Sequence, residues 1–340
     1  MSNIPTFTEG ACPKIQHLLN DVVCNFATDK ARTQNGLIQA LVTDLNRCSD
    51  VLDPDPQRTG QKRDLEVLYV QRPTVYSYSE ITDCASDTEP EPLTQTVTVS
   101  KFIRSQKMQF TEDKIRGLCM GQDQYVAMWI QNQINNLITG LDKAALAELE
   151  SNIGQYYNSA STSANYCLIN NTGNTPNYYG EASFMQAYTE IGGSGMPLLI
   201  GSGKTDLYRR MTQIGCCNEG GIDLSRAGAF GFFYDVNIAG VTGSADNFYI
   251  LAPSAVQFLH WNRNRGIYQK ETPSFVHTVI VDPVTGISFD LNMKYDDCDR
   301  NWVVWLETYW DMFFVPTDAF AVGDPMEGVN GTLKGVATAC

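Results

Sequence analysis

The residues best able to do chemistry are Gly201-Ser202-Gly203-Lys204-Thr205, which end as a phosphate-binding loop ends, with an ammonium for a phosphate and a hydroxyl for magnesium. They follow the apolar run Pro197–Ile200, and Phe230-Gly231-Phe232-Phe233-Tyr234-Asp235 further on imitates the strand and acid that help hold the metal. The glycine that should open G-x-x-x-x-G-K-[ST] falls at Leu198, so the amides lack the turn that wraps a phosphate. The chain also shows no alternating strand–helix–strand pattern of the kind that builds a parallel sheet under such sites. The expectation is therefore a glycine-rich turn leading into a surface helix. Nucleotide binding through Gly203, Lys204, Thr205 and Asp235 is the one catalytic rival.

The other reactive residue types form no constellation. Three histidines stand in an N-terminal amphipathic segment (His17), before Trp261 (His260) and in a strand (His277), without a G-x-S-x-G or a Cys/His setting around them. Asp296, Asp297 and Asp299 share a turn but lack the spaced D-x-D-x-D-G of a calcium loop. None of the ten cysteines forms a C-x-x-C pair, so no zinc site is expected, and free, mostly buried thiols are the expected state. Adjacent Cys216 and Cys217 sit among glycines in a turn, which by itself implies no chemistry. Asn170-Asn171-Thr172 and Asn330-Gly331-Thr332 fit glycosylation acceptors, but the first 25 residues do not have the basic-then-apolar order of an export signal. The reading is a protein with no catalytic residue, cofactor or metal.

Composition agrees. The chain has 340 residues, 43% of them hydrophobic and 18% charged, enough to bury a large core in two or more lobes. Lys and Arg number 24 against 38 Asp and Glu, for a formal charge of −14, which disfavours tight nucleic-acid binding by the whole surface. Even the apolar run Trp302–Val315 is interrupted by Glu307 and Asp311, so no membrane helix is expected.

The elements that position these residues follow from periodicity. Ile15 to Phe26 and Leu37 to Leu45 read as two short amphipathic helices, closed by Asp53-Pro54-Asp55-Pro56. Residues 65–110 read as two long β arms, one holding Val67, Tyr69, Val75, Tyr76, Tyr78 and Ile81, the other Val97, Val99, Phe102, Ile103, Met108 and Phe110. Between them lies a proline-bearing tip with Glu80, Asp83, Asp87, Glu89 and Glu91 and no lysine. A two-armed hairpin has too little apolar face to stand alone and needs its own chain or a neighbour beneath it.

Thr111 to Asn152 carries a long helical stripe, with Thr111-Glu112-Asp113 as its start and a break expected at Gly140. Beyond it, helices are expected near Ser183–Ile191, over Lys204–Gln213 and from Pro253-Ser254, with strands at Pro197–Ile200, Gly231–Val236 and Asn247–Leu251. Phe275–Val281, Ser288–Tyr295 and Asn301–Phe314, joined by good turn sequences, read as an antiparallel meander. The class is α+β.

This order of parts resembles the major capsid protein of tailed bacteriophages, of Hong Kong 97 type. Local wording strengthens it: Asp246-Asn247-Phe248-Tyr249-Ile250-Leu251-Ala252-Pro253-Ser254-Ala255-Val256 looks like the strand-then-helix of that family's A domain. Thr285-Gly286-Ile287-Ser288-Phe289-Asp290-Leu291 and Asp324-Pro325-Met326-Glu327-Gly328-Val329-Asn330-Gly331 are similar to its closing segments.

The resemblance implies an N-terminal arm (1–60), an E-loop hairpin (61–111), a P-domain spine helix (112–152), an A domain (153–272), and a closing β meander with tail (273–340). It further implies a structural protein that self-assembles into pentamers and hexamers of an icosahedral virion shell around DNA, after synthesis in a host cytoplasm. Its partners would be a separate scaffolding protein, a portal, decoration proteins and the packaged DNA by weak contact. An encapsulin-like compartment is the sister reading. The lysine-free tip gives no residue for the covalent cross-link that some relatives form there. Glu80, Asp83, Asp87, Glu89 and Glu91 are expected to dock near Arg209, Arg210, Arg263 or Arg265 of another subunit.

Overall fold

The computed structural model describes residues 34–47, 63–69, 93–111, 122–156, 161–170, 175–176, 179–191, 193, 195–207, 231–264, 270–272, 274–299, 301–317 and 327–339. Its architecture is two sheets around one long helix, with a separate hairpin at one side, which is the α+β class expected from the sequence.

The spine is helix α2, Gln122–Ser151, whose 30 residues span about 45 Å. Val126, Ile130, Ile134, Leu137, Ile138, Leu141, Ala145 and Leu149 recur at helical spacing and are all buried in the main core. The helix runs unbroken through Gly140, contrary to the expected break. That glycine instead admits a neighbour: a Cβ there would lie 3.1 Å from Ile103 Cδ1. Thr111 does not cap the helix, because it is the last residue of a strand. Helix α1, Gly36–Arg47, packs on α2 with Leu37, Ile38, Ala40 and Leu41 fully inside the same core. This part of the chain, assigned on sequence to the N-terminal arm, is thus core of its own chain, while the helix expected over Ile15–Phe26 lies outside the described residues.

Strands β1 (Asp64–Tyr69) and β2 (Leu93–Thr98) pair antiparallel from Asp64↔Thr98 to Tyr69↔Leu93 as a two-stranded sheet of their own. The second arm is not continuous. After Val99 the chain leaves the hairpin, and β3 (Lys101–Arg104) and β4 (Met108–Thr111) join another sheet. Phe102, Ile103, Met108 and Phe110, read from sequence as hairpin, belong there.

That seven-stranded sheet is built on the meander, which appears as β12 (Phe275–Val281), β13 (Ser288–Asp296) and β14 (Asn301–Phe314). One edge of β14 carries β13 and then β10 (Val256–Trp261), and the other carries β4 and then β3. β11 (Lys270–Thr272) closes the far side on β12. Between β3 and β4, residues 105–107 face only residues 305–306, a bulge in which Ser105 Oγ accepts the Leu306 N–H at 2.9 Å and so replaces a lost ladder acceptor.

Strand β10 overturns the helix expected from Pro253-Ser254, and with it the strand-then-helix wording quoted above. Ser254 takes a left-handed φ of 60° in a tight turn, and its N–H is held by buried Asp44 of α1 at 2.8 Å. The next residues then alternate apolar side chains along the free edge of β14, where pairing outweighs the local helix signal.

The second sheet has six strands in the order β6-β5-β15-β9-β7-β8, where β5 is Ser163–Asn170, β6 Thr175–Pro176, β7 Leu198–Gly201, β8 Gly231–Tyr234, β9 Asn247–Leu251 and β15 Thr332–Ala339. Every residue of β9 is buried because its two faces meet two cores. Phe248 and Ile250 pack under helix α3 (Tyr179–Glu190), whereas Tyr249 and Leu251 join the main core with α1, α2 and the short helix α4 (Ile238–Thr242). β10 and β11, placed on sequence with the 153–272 lobe, bond into the meander sheet; β15, placed with the meander, bonds here.

Candidate functional site

The segment resembling a phosphate loop lies in a more suggestive setting than its sequence indicates. β7 and β8 pair in parallel, residues 203–207 are helical, and Asp235 follows β8, so a strand–helix–strand relation absent from the sequence pattern is present. Its polar groups are nevertheless engaged by the chain itself. Lys204 Nζ forms an ion pair with Asp246, and Ser202 Oγ bonds to the Ala245 carbonyl while accepting Lys204 N–H at 3.2 Å. Leu198, standing where the first glycine is required, is buried in β7 opposite Gly231 and Leu251.

Asp235 faces away from the loop. Its carboxylate accepts the N–H of Leu37 at 3.0 Å and of Asn237 at 2.7 Å, and so caps helix α1 from a distant part of the chain. Asp142, on α2, accepts Ile38 N–H at 3.1 Å and Asn237 Nδ2 at 2.7 Å; Asn237 Nδ2 also reaches Asn35 Oδ1 at 3.0 Å. Asp142 and Asp235 are both fully buried and both bonded to Asn237. Burial, and then the Asp235 charge, hold Asp142 well above the usual carboxylate range, and burial raises Asp235 too. Sequence analysis missed this knot because Asp142 lies within a helical stripe among other acids and Asp235 read only as a metal-holding acid.

A second polar cluster covers the outer face of the meander sheet. Asp290 on β13 accepts the N–H groups of Arg263 at 2.7 Å and Asn264 at 3.0 Å, fastening the segment that leaves β10. Asn264 Nδ2 donates to Asn292 Oδ1 at 3.0 Å, and His277 Nδ1 meets the same oxygen at 2.7 Å. Burial pushes Asp290 up to about 7, against the pull of the two amides. His277 and half-buried His260, ring-stacked on Phe258, thus have structural neighbours.

The hairpin root is the third cluster. Leu65, Val67 and Val99 pack on Leu259, Trp261 and Phe313, and the Arg63 guanidinium lies 4.7 Å from the Trp261 ring centre and 4.3 Å from that of Tyr309. Lys101, at the start of β3, is paired with both Glu148 of α2 and Asp311 of β14, tying spine, sheet and hairpin exit together. Lys107 lies over the Trp305 ring at 5.0 Å. We expect Arg63→Ala to raise amide exchange in β1 and β2 several-fold, measured by mass spectrometry, with exchange in β12 and β13 unchanged. Equal change in both sheets would mean that the clamp stabilises the whole fold and not the hairpin.

Of the residues expected at a subunit interface, Arg263 is described: its side chain is exposed while its N–H is held by Asp290. Glu80, Asp83, Asp87, Glu89, Glu91, Arg209, Arg210 and Arg265 lie outside the described residues, as does His17. Cys298 is free, as expected, and lies exposed in the Asp296–Asp299 turn. Asn330 is buried, with Nδ2 donated to the Asn152 carbonyl at 2.8 Å, so the possible glycan acceptor there is engaged internally. Among the described residues no group of three or more His, Cys, Asp or Glu is arranged to hold a metal, and no helix is long and apolar enough to cross a membrane.

No family model matches the chain, and no curated protein matches it. Among solved structures it is similar to one from Mycobacterium phage Adephagia, with a TM-score of 0.48 and 12% identity over 88% of this chain and 90% of that one. It is also similar to the capsid asymmetric unit of cyanophage A-1(L), with a TM-score of 0.47 and 10% identity over 84% of this chain and 93% of that one. The capsid of a native GTA particle is similar at a TM-score of 0.47 and 7% identity, over 88% and 90% of the two chains.

Proposed function

We propose that this chain is a structural shell subunit, the major capsid protein of a tailed bacteriophage, which self-assembles into pentamers and hexamers of an icosahedral virion shell enclosing DNA. The observation that carries the reading is the hairpin. β1 and β2 form a two-stranded sheet separate from the rest, rooted on the β10–β14 corner by Arg63 and three buried apolar residues. Its outer positions, Asp64, Glu66, Thr96 and Thr98, face solvent. A hairpin rooted so firmly, with arms joined by residues 70–92 and their five acids, is suited to lie on a second copy of the chain. The continuous spine and the two cores beside it give the rigid body that such a lever requires.

On this reading the acidic tip docks near Arg209, Arg210, Arg263 or Arg265 of a neighbouring copy, and the scaffold, portal and decoration proteins are separate chains. The acidic surface suits DNA packed under repulsion. Assembly takes place in the host cytoplasm and the product is the virion.

The test is electron microscopy with light scattering on the purified protein at micromolar concentration, in low and high salt, alone and co-expressed with the proteins encoded beside it. Closed shells or rings of five and six are expected. A monodisperse monomer in every condition overturns the proposal. Shells that enclose a cargo enzyme and no DNA would point to an encapsulin-like compartment. A monomer that binds a nucleotide through Lys204 would restore the catalytic reading.

A further inference from the structure

We propose that Asp142 and Asp235 form a proton-sharing latch that seats helix α1 in the core, so that loss of the shared proton releases the helix. The proposal does not depend on shell assembly. It rests on three elements far apart in the chain meeting at one buried point.

Helix α1 begins with N–H groups that need acceptors. Two of them, Leu37 and Ile38, find carboxylates from different elements: Asp235 beyond β8 and Asp142 in the middle of α2. The two carboxyls meet at adjacent N–H groups of α1 and are both tied to Asn237, so two buried charges would face each other unless one of them carries a proton. Asn237 spans the arrangement by donating to Asp142 at 2.7 Å and to Asn35 at 3.0 Å. Both aspartates are at 0% exposure, and neither touches a cation among the described residues.

The titratable groups around the pair supply no positive charge. From β9 comes Tyr249, whose hydroxyl is bound to Glu150. On α2, neighbouring Lys143 points to solvent, and on α1 itself Asp44 is engaged with Ser254 N–H. Lys204 is held by Asp246.

With one proton the pair is a neutral acid beside a single anion that faces the positive end of α1, and the site is satisfied. With none, two negative charges meet in a buried site. The cheapest relief is for α1 to lift and admit water, which breaks the bonds at Leu37 and Ile38. Both carboxyls are raised in the folded protein, so the stabilisation of the seated helix is present below the ordinary carboxylate range. It is lost as pH rises through the pair's elevated titration. Between the ordinary carboxylate range and that titration each pH unit shifts the open fraction by up to about tenfold, and above it the fraction is constant.

The test is amide exchange at Leu37 and Ile38 in the full-length protein across pH 6 to 10, corrected for the intrinsic base dependence of exchange. Protection is expected to fall as pH rises, by up to about tenfold per unit, and to level off once the pair has lost its proton. Asp142→Asn, which keeps a donor toward Asp235 but carries no titrating proton, is expected to make corrected protection constant. Asp235→Asn serves as the second variant if the first does not fold. Asp290→Asn, remote from α1, is expected to leave the wild-type profile at Leu37 and Ile38 in place. Constant protection in the wild type, or an unaltered pH profile in both variants, overturns the latch.

Discussion

Gly335→Ala is expected to destabilise the protein by about 3 kcal/mol, the upper part of the range for overpacking a well-filled core. Gly335 on β15 stands directly opposite Phe248 on β9, and the phenyl ring lies over the glycine. A Cβ at that position would fall 2.0 Å from Phe248 Cζ. The ring has nowhere to retreat, since its centre is 4.7 Å from that of Phe184 and 5.6 Å from that of Tyr166, and Phe248 is fully buried. The methyl must therefore displace a strand or an aromatic cluster. The midpoint of urea unfolding measures the effect, and Phe248→Leu in the same chain should restore part of the loss by vacating the space. A single Gly335→Ala change with an unaltered midpoint would mean that the two strands are not packed as described.

The second large effect concerns pH. Asp290 is buried, and its pKa of about 7 lies well above the ordinary 3.8. A group raised in this way favours folding while it is protonated in both states. Its contribution is therefore full below about pH 4 and lost by about pH 8, amounting to roughly 4 kcal/mol across that window. Asp290→Asn abolishes the titration but keeps an acceptor toward Arg263 or Asn264, so its unfolding free energy should change by several kcal/mol less between those limits than that of the wild type. The price is one weakened amide contact of about 1 kcal/mol at low pH. Parallel stability-versus-pH curves for the two proteins would exclude this role for Asp290.

How far these features were legible before the structure depends on whether their causes are local. The meander strands and β9 were placed within a residue or so, because alternating apolar residues and turns such as Asp282-Pro283-Val284-Thr285-Gly286 act over a few positions. β10 was misread as a helix because the causes of its conformation, the Asp44 bond to Ser254 and the free edge of β14, lie far along the chain. Gly140 was read as a break from its intrinsic propensity, while the approach of Ile103 gives it a different purpose. The parallel pairing of β7 with β8 has no periodic signature at all. Of the candidate site, the hairpin was readable as two β arms but its boundary at Val99 was not, and the Asp142–Asp235 pair depends on a tertiary meeting that no spacing rule announces. Carboxylates at such positions look like any other acid until the fold removes water from them.

The position of β15 has a consequence for how the chain is made. It is the last strand of its sheet to be synthesised, yet it lies third in the order, parallel to β5 on one side and antiparallel to β9 on the other. Until it emerges from the ribosome, the sheet exists only as two fragments, β6-β5 and β9-β7-β8, with nothing between them. Closing over so long a stretch of chain is entropically slow, so the nascent protein waits with two unpaired edges exposed. A chain cut short before Thr332 would retain that vulnerability permanently, because β5 and β9 would have no strand between them.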